Sequence, residues 1–85
     1  MRFTFTKHAL GKFKTHKLAG WKFLQRDINE AIKNPYFAGV EEKRGVKFVL
    51  RSWDKDHDLR VIYKEENDII TVITFYPTEK GRYLA

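Results

Sequence analysis

The chain has 85 residues, 42% of them apolar and 15% aromatic, and a formal charge of +6 from 17 Lys and Arg against 11 Asp and Glu. That length suits one domain with a modest core, and that apolar content sets the chain apart from a disordered basic tail, so a single α+β domain spanning residues 1–85 is expected. The absence of cysteine excludes disulfides, thiolate zinc sites and a cysteine nucleophile.

The charge is unevenly placed. From Met1 to Arg26 there are seven cations, Arg2, Lys7, Lys12, Lys14, Lys17, Lys22 and Arg26, and no acid. A field of one sign favours a polyanion such as nucleic acid, an acidic membrane surface or an acidic partner protein. The start of the chain alternates apolar and polar residues, and no apolar run approaches the roughly 18 residues of a membrane span. A soluble, cytoplasmic protein that does not engage a membrane is expected.

In chain order, Arg2 to Phe5 reads as a short strand and Thr6 as the N-cap of a helix reaching about Lys17, with Ala9, Leu10 and Phe13 on its apolar side. Leu18-Ala19-Gly20 reads as a turn. Trp21, Leu24, Ile28 and Ile32 recur at helical spacing and predict a second helix over Trp21 to Lys33, ended by Asn34-Pro35. Then the period changes. Tyr36 to Glu42, Val46 to Trp53, Leu59 to Lys64 and Ile69 to Tyr76 are rich in β-branched and aromatic residues and are separated by short turns. Connections that short favour an antiparallel meander. The expected fold is two N-terminal helices packed on a four-stranded, mainly antiparallel sheet, with the N-terminal strand as an optional fifth.

The last hairpin sets what faces what. A three-residue loop, Glu66-Asn67-Asp68, pairs Glu65 with Ile69 and puts Arg60 opposite Thr74. One face then carries Leu59, Val61, Tyr63, Ile69, Ile73 and Phe75 as core, and the other carries Arg60, Ile62, Lys64, Thr74 and Tyr76. Arg60 offers a planar fork of donors to a phosphate, Thr74 and Tyr76 offer hydroxyls, and His57 in the adjoining loop can move a proton near neutral pH. Those parts suit attack of a ribose 2′-OH on its own phosphate, a reaction that runs without a metal or cofactor. His8 in the first helix is a second acid or base candidate. Three scattered histidines make no metal site, and Gly-rich phosphate loops and the G-x-S-x-G elbow are missing. The carboxylate pairs Glu41-Glu42 and Glu65-Glu66 read as solvated charge beside turns. Lys7, Lys12 and Lys14 would hold an RNA backbone, and Arg82 and Tyr83 in the tail would pair a cation with a stacking ring.

Thr6-Lys7-His8-Ala9-Leu10-Gly11-Lys12-Phe13, Asn34-Pro35, His57-Asp58-Leu59-Arg60-Val61-Ile62-Tyr63, Val72-Ile73-Thr74-Phe75-Tyr76-Pro77 and Arg82-Tyr83 together resemble a small prokaryotic family of unknown function that is similar to the BrnT and RelE toxins. The resemblance implies a RelE-like α+β fold and RNA cleavage neutralised by a cognate antitoxin. It implies His8, His57, Arg60 and Thr74 as the catalytic set, with Tyr76, Arg82 and Tyr83 around them. The full Lys and Arg cluster of the ribosome-dependent RelE toxins has no counterpart here. The sequence therefore supports a metal-independent endoribonuclease, with two alternatives: a non-catalytic nucleic-acid-binding module, or a basic module for an acidic partner.

Overall fold

The computed structural model describes residues 1–40 and 45–84. Its elements are β1 (Arg2–Phe5), α1 (Lys7–Leu18), α2 (Gln25–Lys33), β2 (Phe37–Val40), β3 (Lys47–Ser52), β4 (His57–Glu66) and β5 (Ile69–Glu79). The fold is α+β, with both helices on one face of a five-stranded mixed sheet ordered β1-β5-β4-β3-β2. β2 to β5 form the antiparallel meander, and β1 joins it as a full member, parallel to β5 from Arg2 opposite Ile69 to Phe5 opposite Val72. The four-stranded expectation is corrected to five, one of them parallel. The expected end of β2 at Glu41-Glu42 and the first part of the turn after it lie outside the described residues.

α1 starts where Thr6 predicts. The Thr6 hydroxyl accepts a hydrogen bond from the Ala9 amide at 3.0 Å and donates one to the Ile73 carbonyl at 3.1 Å. One side chain thus satisfies a free helix donor and a strand acceptor. The helix stops at Ala19, with Gly20 in the left-handed region at φ 95°.

α2 begins four residues later than the apolar spacing predicts. Asp27 accepts from the Leu24 amide at 2.9 Å and fixes the helix start there. The preceding Trp21 to Leu24 are irregular rather than helical, and Phe23 among them enters the core at 4% exposure. The helical spacing of Trp21 and Leu24 is coincidence, and the true inward face of α2 is Ile28, Ala31 and Ile32.

The β4–β5 turn has two residues, Asn67 (φ 51°) and Asp68 (φ 65°), with Glu66 opposite Ile69. Positive φ at both central positions is the backbone twist that suits a hairpin. The register is one step from the expected one at the turn. A bulge between Ile62 and Tyr63, where Ile73 is the extra residue, then adds a second step and restores the parity. Arg60 accordingly faces Tyr76, and Thr74 faces Ile62. Ile70 and Val72 take the core positions expected for Ile69 and Ile73, alongside Leu59, Val61, Tyr63 and Phe75. Pro77 lies within β5, opposite Leu59, and is tolerated because β1 covers only Ile69 to Val72 and leaves that side of β5 without a strand neighbour.

Candidate nucleic-acid interface

The helix face of the sheet holds the apolar core, with Phe23 at its centre. Phe23 meets Trp53 edge to face at 4.6 Å between centroids, and also contacts Trp21, Phe75 and His16. Over this core α1 buries Ala9 and half-buries Phe13 and His16. Those three positions recur at spacings of four and three and define the inward stripe. His16 has a task the sequence did not suggest. Its Nε2 lies 2.8 Å from the Phe75 carbonyl, which can only accept, so Nε2 carries the proton. Together with the Thr6–Ile73 bond, this closes part of the β5 edge that β1 leaves open.

Apart from Lys12, the remainder of α1 is exposed. Lys7, Lys14 and Lys17 share one side of it at spacings of seven and three, and Lys22 and Arg26 follow in the exposed connection and the start of α2. Lys12 sits half-buried on the other flank, near the side that carries His8. The described acids lie on α2, at Asp54, Asp56 and Asp58, around the β4–β5 turn and at Glu79 at the end of β5. α1 and the connection carry cations and no acid. Lys17 and Lys22 belong to this surface although the sequence motifs point only to Lys7, Lys12 and Lys14; their place in the acid-free run is the signal that could have found them.

His57 opens β4 on the helix side of the sheet, with its ring edge-on to Trp21 at 4.7 Å. Its Nδ1 lies 2.9 Å from Asp54 Oδ1. The Asp56 amide, and after it the hydrogen bond from His57, hold the Asp54 carboxyl below its usual range. An ionised Asp54 only accepts, so Nδ1 carries a proton and, on the neutral ring, Nε2 presents its lone pair. That is an acid–base group held in one orientation beside a half-buried indole.

Arg60 projects from the opposite face. It is 7% exposed, and its guanidinium carbon lies 4.2 Å from the Tyr83 ring centroid, 4.5 Å from that of Phe48 and 5.8 Å from that of Tyr76. Nη1 donates to the Tyr76 hydroxyl. Burial first, and then the hydrogen bond to Tyr83, push the Tyr76 phenol up despite the opposing Arg60 charge. A Cβ at Gly39 would come within 2.6 Å of the Phe48 ring, so only glycine lets that ring lie under Arg60. Next along β4, Asp58 is fully buried on the same face. It accepts from the Tyr36 hydroxyl and, at 3.0 Å, from the Gly81 amide, and pairs with Lys80 at 3.7 Å. Asp58 and Arg60 alternate with Leu59 and Val61, a polar–apolar pattern that is legible in the sequence.

The sheet thus divides the expected catalytic set. Arg60, Tyr76 and Tyr83 come together, with Thr74 two pairs away beside Ile62, while Arg82 is exposed in the tail next to them. His57 lies on the other face. His8 is exposed in the first turn of α1, two residues after Thr6, which bonds to Val72 and Ile73, whereas His57 lies opposite Glu79, about 20 Å farther along β5. In this conformation the two histidines do not share a site with each other or with Arg60. Among the described residues no three His, Asp or Glu side chains gather in a group able to hold a metal ion, and no helix is long and apolar enough to cross a membrane.

No family model, curated protein or solved structure matches the chain.

Proposed function

We propose that the protein binds RNA through the exposed lysines of α1 and of the connection to α2. The observation that carries this reading is the acid-free run from Met1 to Arg26, whose Lys7, Lys14 and Lys17 lie along one side of a helix with Lys22 close behind. Such a row matches a phosphate backbone, and the half-buried Trp21 nearby adds a ring for an unstacked base. RNA is favoured over DNA by the motif resemblance to the BrnT and RelE families, and two N-terminal helices on a sheet are compatible with a RelE-like fold. Lys14 and Lys17 are solvent-exposed, so the double substitution Lys14→Glu, Lys17→Glu leaves the fold intact. The expected result is at least tenfold weaker binding to a labelled single-stranded RNA in fluorescence anisotropy, and equal binding would refute the reading.

A metal-independent endoribonuclease is the second reading, favoured by the Asp54–His57 pair beside Trp21. Here His57 Nε2 takes the 2′-OH proton, O2′ attacks phosphorus, and the 5′-oxygen leaves with a proton, producing a 2′,3′-cyclic phosphate. The cation closest to the reacting phosphate would come from the lysine row, because Arg60 is committed to the aromatic clamp on the far face. RNA incubated in EDTA should yield cyclic-phosphate ends with the parent protein and none with His57→Ala. If His57→Ala cleaves as well as the parent, His57 has no part in the reaction. A cognate antitoxin belongs to this second reading.

A further inference from the structure

Beside the lysine row runs a groove that phosphate binding does not account for. It lies between α1 and the connection to α2, with a volume of about 1240 Å³, and Phe13 and Phe23 form its floor. Its walls are aliphatic. Leu10 is 49% exposed, Leu18 81% and Leu24 48%, and all three line the groove. Lys14, Lys17 and Lys22 form its rim. RNA is gripped by charge and by flat aromatic rings, so three exposed leucines around an apolar floor contribute nothing to it. Leucines left in water beside a concave apolar surface are the usual mark of a protein-docking groove.

We infer that this groove receives an amphipathic helix of a partner protein, apolar on the side that enters and acidic on the sides that meet the rim. Charge complementarity selects that occupant. A second copy of this chain would bring the same cations to the groove, and its own α2, Gln25–Lys33, carries as many cations as acids. A flat lipid surface would meet Leu18 but not the recessed Phe13 and Phe23. Because the helix would cover Lys14 and Lys17, it would also exclude RNA from them. The docking itself stands on the leucines and holds whether or not RNA binds.

The test uses the full chain and a synthetic helical peptide of about five turns, with leucines on one face and glutamates on the other. A scrambled peptide of the same composition is the control. The designed peptide should bind at least tenfold more tightly than the scrambled one. The protein variant Leu18→Ser, Leu24→Ser should lose most of that difference while keeping its circular dichroism spectrum and its affinity for single-stranded RNA. Equal binding of both peptides would mean that charge alone is recognised and would overturn the inference. So would unchanged binding by the serine variant, or leucine-dependent binding to phosphatidylglycerol vesicles with none to the peptide. RNA binding is read separately in the parent protein: no RNA binding with the two peptides still discriminated would count against the RNA reading alone, and RNA binding without that discrimination against the groove alone.

Discussion

At the scale of single residues, the most telling feature is a carboxylate buried where the core is not needed. Asp58 is fully buried, yet it faces away from the helices and holds three groups at once: the Tyr36 hydroxyl, the Gly81 amide and, by charge, Lys80. It ties the segment that leads into β2 and the C-terminal tail to the sheet, and the tail in turn lays Tyr83 on Arg60. Asp58→Ala leaves the Gly81 amide and the Tyr36 hydroxyl without their acceptor. Urea unfolding should show a loss of roughly 2–4 kcal/mol; a loss below about 1 kcal/mol would mean that the tail is not fastened there. Tyr36 reports the same contact in another way. Burial, with the hydrogen bond to Asp58 and its negative charge, pushes this phenol from 10.0 up to about 12. A group whose pKa rises on folding contributes stability below its unfolded value, and that contribution fades as pH climbs from 10.0 toward 12. In an ultraviolet phenolate titration, one of the late-ionising tyrosines of the parent should move to lower pH in Asp58→Asn, where the charge is gone.

At the scale of elements, α1 both carries the proposed binding surface and finishes the sheet. Thr6 and His16 bond to the Ile73 and Phe75 carbonyls on the part of β5 that β1 does not reach. Thr6→Ala removes a helix cap and a strand partner together, and should cost about 1–2 kcal/mol in chemical denaturation. His16→Ala should cost a similar amount and speed amide hydrogen exchange along β5 around Phe75. No change in either variant would show that the edge is closed by other means. The β4–β5 turn offers a test in the other direction. Asp68 sits at φ 65°, a conformation that glycine adopts without strain, so Asp68→Gly should raise stability by about 0.5–1 kcal/mol.

These elements also mark where sequence reasoning succeeds and stops. The N-cap at Thr6, the change of period after Pro35, and the alternation of Arg60 and Ile62 with Leu59 and Val61 are local patterns, and the structure follows them. The start of α2 escaped because Asp27 capping outweighed apolar spacing. The hairpin register escaped because the turn has two residues where three are expected and because the bulge at Ile73, which adds the second step, has no composition signal. The split of the candidate site has a different cause. His57 and Arg60 are three residues apart in one strand, so they point to opposite faces whatever the register. The partnership between Arg60 and Tyr83 depends on how the tail folds back, which no local pattern encodes.

At the scale of the whole molecule, charge and fold act together. A charge of +6 could be spread evenly, but here five cations, Lys7, Lys12, Lys14, Lys17 and Lys22, sit on α1 and the connection, which carry no acid, while the described acids lie on α2, at Asp54, Asp56 and Asp58, around the β4–β5 turn and at Glu79. The result is a molecule with one basic side, held by a sheet whose far face is closed by the Asp58 and Arg60 networks. The salt dependence of RNA binding tests this account most directly, because every phosphate that a cation neutralises releases counterions. The parent should bind single-stranded RNA with log K falling linearly as log salt rises, and Lys14→Glu, Lys17→Glu should flatten that slope by about 0.7 for each phosphate the variant no longer neutralises. Absence of RNA binding at low salt, or an unchanged slope in the double variant, would contradict it.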